Sequence, residues 1–296
     1  MAARAWKWLR EHAIVIYAGI AIAYTLVPLL VIAVFSFNDP AGKFNFTWEG
    51  FTLEHWEKAF SLPDLNDALI NSLELAVLST IIATVIGTLM AIALVRHQFF
   101  GRRTSNFLIV IPMATPEVVI GSALLSMFLL YFGASFLGLG SLLIAHVMFS
   151  ISFVVVVVRS RLIGFDRSLE EAARDLGATP FETFRLVTLP LLMPGIAGGA
   201  LLAFALSIDD FVISNFNAGD FVTFPLFIFG ASQRGIPVEV YSVATMLFAV
   251  TVLIMAFTVW QQRRAERMSE VLPEEPDQDL PSAARTVPPA PTPLGG

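Results

Sequence analysis

Residues Arg161–Pro190 read RLIGFDRSLEEAARDLGATPFETFRLVTLP, a charged and patterned stretch lodged between two strongly apolar runs. A segment of this composition belongs in water, whereas its neighbours do not, so it marks where the chain leaves a hydrocarbon environment. Local signals divide it into two short helices. Ser168 followed three residues on by Glu171 has the form of a capping box, and Gly177 supplies the left-handed position that ends such a helix. Thr179-Pro180 restarts the chain, with Thr as N-cap and Pro at the first helical position, and Pro190 leads into the next span. Ala172, Ala173, Gly177 and Ala178 gather small side chains at the corner, where another protein's surface can approach closely. An ordinary amphipathic connector would carry much of the same patterning.

Outward from this segment, six runs are long enough to cross about 30 Å of hydrocarbon at about 1.5 Å per residue. They cover 13–37, 71–95, 106–132, 139–158, 191–215 and 240–260. Charged residues make up only 14% of the chain, against about 25% in a soluble domain, and mean hydropathy is +0.74. The chain therefore reads as an all-α polytopic membrane protein with six transmembrane helices. Fifteen of its eighteen Lys and Arg fall on one side if both termini are cytoplasmic; Lys43, Lys58 and Arg234 fall on the other. The positive-inside rule then places both ends, and the 161–190 segment, in the cytoplasm. The first apolar run spans about 25 residues, too long for a signal-peptide core, and reads as an uncleaved span anchored by Trp6 and Trp8.

Three regions follow: 1–69 with the first span and an external loop, a core of five spans over 70–262, and a tail over 263–296. From about residue 270 the tail is acidic and Pro-rich and is expected to be disordered. In the external loop, 52–60 has the pattern of a short amphipathic helix, and Trp48, Phe51 and Trp56 read as packing residues. The second external loop, 216–239, is aromatic but punctuated by Gly and Pro. It is either a re-entrant, gate-lining element or a structured loop.

Several chemistries are excluded. Without cysteine there is no disulfide, thiolate metal ligand or cysteine nucleophile. None of the three lysines stands in a Gly-x4-Gly-Lys-Ser/Thr phosphate loop, so ATP binding has to come from another polypeptide. No metal site, catalytic residue or cofactor is expected. Carboxylates within the spans are the stronger signal, because a charge there is costly and faces a cavity or a partner. Glu117 lies roughly 16 Å along the third span, near the bilayer centre, where Thr115-Pro116-Glu117 also reads as the restart of a half-helix. Asp209 and Asp210 fall at the outer end of the fifth span, either lining a path for cations or capping the helix. Adjacent helical residues point about 100° apart, so one of the two is expected to face the path. Glu74 reads as interfacial, and His146 as a hydrogen-bonded packing residue. Gly195, Gly198 and Gly199 suit close helix packing or bending.

Glu171-Ala172-Ala173, three residues, Gly177, nine residues, then Val187-x-Leu189-Pro190 resembles the EAA loop of ABC-importer permeases, with Val187 where the family usually has isoleucine. The resemblance runs from about residue 15 to 262. It is carried by TLVPLLVIAVFSFN, NSLELAVLSTIIATVIGTLMAIAL, IPMATPEVVIGSALL and GALLAFALSIDDFVISNF, and is nearest to the second permease of polyamine (spermidine/putrescine) importers. After Asn217, AGDFVTFPLF departs from the family's usual small-residue turn. The resemblance implies a type I ABC-importer permease fold with a cytoplasmic coupling helix, in which Glu171, Ala172, Ala173 and Gly177 contact an ATPase subunit. It also implies a bacterial inner-membrane location, a second permease forming a heterodimer, two ATPase subunits that bind the ATP, and an extracytoplasmic solute-binding protein. The cargo would be a small cation, a polyamine, with Glu117, Asp209 and Asp210 along its path and no nucleic acid partner. Other solutes (an opine, an amine-containing osmolyte, a metal ion) fit the same machinery. A proton-driven secondary transporter with Glu117 as relay is a different class, separated by whether uptake needs the ATPase or the proton gradient.

Overall fold

Backbone N–H and C=O groups in lipid have to find partners within their own segment, and the apolar runs accordingly form helices. In the computed structural model, residues 2–42 and 44–271 are described. They contain α1 (Ala2–Phe35), α2 (Glu54–Glu57), α3 (Pro63–Arg96), α4 (Arg102–Ala114), α5 (Glu117–Tyr131), α6 (Leu139–Ile163), α7 (Ser168–Asp175), α8 (Pro180–Thr183), α9 (Leu189–Asp209), α10 (Val212–Asn217), α11 (Phe224–Ser232) and α12 (Val238–Val271). The only strand-like pairing among the described residues is a single antiparallel bridge between Asn38 and Phe51.

Five helices are long and apolar enough to cross a membrane, and α4 with α5 makes a sixth if that bent pair is one span. The expected third span, 106–132, is thus not straight. It turns by 108° between Ala114 and Glu117. Thr115 and Pro116 adopt extended backbone torsions there, as the residue before a proline and the proline itself favour. Glu117 opens α5 directly, one position earlier than a Thr115 N-cap would place it.

Helices α3, α6 and α9 pack around the valine run of α6. Val154 is fully buried between two glycines: a Cβ on Gly87 of α3 would stand 2.7 Å from it, and one on Gly199 of α9 would stand 3.4 Å away. Without a hydrophobic force between helices in lipid, such close approach supplies the association energy through packing. Gly195 serves the same purpose against Arg161, whose Cβ lies 2.9 Å from where its own would be. Ala83, Ala91, Leu94, Ile109, Val155, Val158 and Ala203 complete this core.

The loop after α1 folds back on the end of that helix. Asn38 is its buried hub, donating to Asn45 and to the Thr47 carbonyl while accepting from the Glu49 backbone. Trp56 stacks on Phe37 and donates to Ser36, so the aromatics of this loop are packing residues. The helix expected over 52–60 is a single turn, Glu54–Glu57. Residues 216–239, left open between two forms, hold the last two residues of α10 and all of α11. Phe224 N donates to Ser72 Oγ, and Asn71 Nδ2 donates to the Val222 carbonyl, which fastens this region to α3.

The described residues up to Val243 form one compact unit. From Ala244 onward, the described part is the continuation of α12, in which Arg264 lies over the Trp260 ring at 5.6 Å. This helix reaches Val271, so 263–271, expected to open the disordered tail, are helical. The rest of that tail, Lys43 and the side chains of Trp6 and Trp8 lie outside the described residues.

Candidate functional site

Two sites deserve description, one at each end of α9. At its start, α7 stands as a helix of eight residues with an exposed outer face. Its cap differs from expectation: Ser168 is the first helical residue, and Asp166 Oδ1 accepts the Ser168 N–H at 2.9 Å, so no Ser168–Glu171 box forms. That bond, with a second from the Ser168 side chain, holds the Asp166 carboxyl below its ordinary value. At the other end, Gly177 has φ +90°, as its glycine suggested. Ala178 N donates to Ala173 O and Gly177 N to Arg174 O, the paired bonds of a Schellman ending. Thr179 caps α8 with Pro180 behind it, and Glu182 closes a true capping box by accepting the Thr179 N–H at 2.8 Å.

The second short helix does not stop before the fifth span. From α8 the chain passes through one π-helical segment, Phe184–Thr188, directly into α9. Pro190 has no N–H to give and crowds the carbonyl four residues earlier, which a wider turn relieves.

Beneath α7 lies a buried ion pair that the sequence did not single out. Arg96 Nη2, at the end of α3, meets Glu170 Oε1 at 2.7 Å, with side chains 16% and 12% exposed. Thr188 Oγ1 donates to the same oxygen at 2.7 Å, and the Arg96 guanidinium sits 5.3 Å from the Phe165 ring centroid. One carboxylate therefore joins α3, α7 and the start of α9. Its neighbours behave differently: Glu171, Ala172 and Gly177 are exposed and Ala173 is half-buried. Around them stand Leu176 (89% exposed), Leu169, Phe181 and Leu186, apolar side chains turned to the surface of a charged segment.

At the far end of α9 the helix breaks at Asp210, which takes an extended ψ before α10 begins. The two aspartates part company. Asp210 is 5% exposed, and its carboxylate accepts Ile213 N at 3.2 Å and Ser214 N at 2.8 Å, with His146 Nε2 at 3.4 Å. It acts as an internal cap, whereas the expectation placed both aspartates along the path. Asp209 is exposed and has no hydrogen-bond or ion-pair partner among the described residues. Glu117 is exposed too, at the start of α5, and α5 packs on α10 just after Asp209 and Asp210, so the two broken helices bring these acids to the same region. The assembly is tight: Asn217 Nδ2 donates to the Gly121 carbonyl of α5, and a Cβ on Gly121 would strike Phe216 at 2.8 Å.

Depth also differs from a count along straight spans. His146, opposite Asp210, is seven residues after Leu139, about 10 Å along α6. The acidic break thus lies within the length of the bundle rather than at its rim, because α10 and α11 follow it and still pack on α3, α5 and α6. Glu74 is exposed on α3, eleven residues past Pro63. Where α3 begins, a cavity of about 710 Å³ opens towards α11, lined by Asp64, Asp67, Asp220 and Arg234 among others. No group of three or more His, Asp or Glu among the described residues is arranged to hold a metal ion.

Residues 83–270 match the family described as binding-protein-dependent transport system inner membrane component. The chain belongs to this family. It is 39% identical over 234 residues to the spermidine/putrescine transport system permease protein PotC of Escherichia coli K12, covering 79% of this chain and 87% of that protein. The putrescine permease PotI of the same organism is 36% identical over 261 residues, with coverage of 86% and 91%. Among solved structures, a bacterial ABC transporter that imports alginate superposes with TM-score 0.62 at 19% identity, covering 86% of this chain and 96% of that one. The MetNI methionine transporter in an inward-facing form superposes with TM-score 0.53 at 19% identity, covering 68% and 95%. At those identities the likeness shows the fold, that of an ABC-importer permease.

Family membership makes this a permease subunit, a membrane component of an importer and not an enzyme; hydrolysis of ATP falls to a separate ATPase. Permeases of this kind work with another permease, an ATPase and a binding protein. The EAA-like segment of this permease is the only long charged excursion in its core, which is why it was legible. Arg96 and Thr188 carried no comparable signal, since each becomes meaningful only through Glu170.

Proposed function

We propose that this permease forms one half of a membrane path for a small organic cation, a polyamine, as the names of PotC and PotI suggest for its relatives. The carrying observation is the exposed pair Glu117 and Asp209, brought together at two helix breaks. Carboxylates at that depth do not face lipid, so they face a second permease and the aqueous path between the two. Discontinuous helices are also the usual frame of transport sites in membranes, where freed backbone groups and side chains can contact cargo. The chain's partner is a different permease, making a heterodimer, and both termini lie in the cytoplasm by the distribution of Lys and Arg. In that orientation the cavity with Asp64, Asp67 and Asp220 is the outer mouth, which receives cargo from the extracytoplasmic binding protein.

Two ATPase subunits serve the complex, and one docks on this chain through the face of α7 and α8. Glu171, Ala172, Ala173 and Gly177 form the contact, with Leu176 and Phe181 filling apolar pockets beside it. Because α8 runs through the π-helical segment into α9 without a loop, displacement of α7 and α8 moves the start of α9 as one body. The other end of that helix carries Asp209. Docking and cargo contact are thus mechanically joined. The direct test replaces Asp209 with Asn in the complete importer. Putrescine KM is expected to rise about tenfold or more, since one charge-assisted contact is lost; an unchanged KM would sink the assignment.

A further inference from the structure

A chain of polar side chains runs through the bundle from α3 to the α9–α10 break without reaching the surface. Ser79 Oγ donates to Ser207 Oγ at 2.9 Å, and Ser207 Oγ lies 2.8 Å from His146 Nδ1. On the other side of the ring, Nε2 faces Ser214 Oγ at 3.1 Å and Asp210 Oδ2 at 3.4 Å. The four side chains that lead to Asp210 (Ser79, Ser207, His146 and Ser214) are all buried, His146 to 2% exposure. A neutral imidazole satisfies the series in one direction. Ser79 Oγ donates to Ser207 Oγ, Ser207 Oγ donates to Nδ1, and Nε2–H donates to Ser214 Oγ with Asp210 Oδ2 at ion-pair distance beside it.

Packing alone does not require this arrangement. An apolar side chain of similar volume would fill the space between α6 and α9, but it would leave the buried Asp210 carboxylate without its side-chain donor from α6. Asp210 in turn sets the break, because it holds the N–H groups of Ile213 and Ser214 that open α10. The residue before it is Asp209. We propose that His146 is a positioning residue for transport: by holding Asp210 it fixes the break, and thereby fixes the Asp209 carboxylate beside Glu117. This rests on the reading of Asp209 and Glu117 as path residues. Loss of the ring's Nε2 contact loosens the carboxylate without emptying the core, so the cost falls on KM for the cation and not on turnover.

The test uses the complete importer in proteoliposomes, with putrescine as cargo and rates normalised to inserted transporter. His146→Asn keeps an amide near the Nδ1 position and falls short of Asp210, whereas His146→Gln carries its amide nitrogen to where Nε2 stands. The Asn variant is expected to raise KM about tenfold with Vmax within about twofold, and the Gln variant to stay within about threefold of the parent. In an Asp209→Asn background, His146→Asn is expected to add nothing. Equal behaviour of Asn and Gln, or a full additional effect on top of Asp209→Asn, overturns the positioning role while leaving the path reading intact. An Asp209→Asn variant with parental KM overturns both. If His146→Asn does not insert, Ser207→Ala reads the same coupling by removing the Nδ1 partner. It should raise KM about threefold, and only when Asp209 is present; parental KM in Ser207→Ala then overturns the role.

Discussion

Helix α9 is pinned at both ends by buried polar clusters, and the two clusters are built differently. At its start, Glu170 gathers Arg96 and Thr188, an ion pair that joins α3 and α7 to the helix. At its end, Asp210 gathers His146 and two backbone N–H groups, so the charge is met mainly by neutral donors. Beside each buried acid stands an exposed one, Glu171 at the start and Asp209 at the end. The difference teaches how one rigid helix can serve two partners. The strong ion pair suits an end that has to bear mechanical load. The softer network suits an end where a charge needs only to be aimed.

Breaking the ion pair should have the largest effect. Glu170→Ala leaves the part-buried Arg96 guanidinium without its carboxylate and should sharply lower the yield and the heat resistance of the detergent-extracted importer. Replacing both partners, as Arg96→Met with Glu170→Leu, should recover most of that stability. Recovery of uptake as well would show that the pair holds shape without carrying load, which would erase the contrast drawn between the two ends.

A middle-sized effect is expected at the exposed face. Leu176 is 89% exposed, so Leu176→Asp should leave folding within about 0.5 kcal/mol of the parent. At the proposed docking face the same change should weaken ATPase association about thirtyfold, in the range of an interface hot spot, measured by co-purification at graded ATPase concentration. Parental association would move the docking surface elsewhere.

The smallest effect concerns the cap of α7. Asp166→Ala should loosen the start of that helix slightly by removing the acceptor of the Ser168 N–H. Because Asp166 has a lowered pKa, its contribution is complete above the ordinary aspartate range and is lost as pH falls through the lowered value. Protease nicking between α6 and α7 should therefore increase only in strongly acidic buffer for the parent, and at all pH values for the variant. Acid sensitivity that sets in at neutral pH would mean another group holds this turn.

Much of this architecture was legible before any coordinate. Hydropathy found the apolar helices because lipid leaves a chain few other solutions. Gly177 and Thr179-Pro180 fixed the turn because their backbone preferences are local and strong. Thr115-Pro116 announced a restart for the same reason, but not the 108° turn, which needs α5 to find α10 and Asn217 to staple them. Ser168 looked like a cap and was displaced by Asp166, a competition between two polar side chains two residues apart.

In the Asp209-Asp210 pair the sequence named the place and not the member, whereas Glu170 drew no signal beside the expected contact residue Glu171. Glu170 and Glu171 stand about 100° apart around the axis of α7, and Asp209 and Asp210 part where α9 ends. Which one turns inward depends on where α3 delivers Arg96 and where α6 delivers His146, positions 74 and 64 residues away in the chain. The positions of the apolar spans and the restart at Thr115-Pro116 were properties of short stretches, so the sequence determined them. The facing of each acid was a property of three-dimensional packing, and only the tertiary structure could decide it.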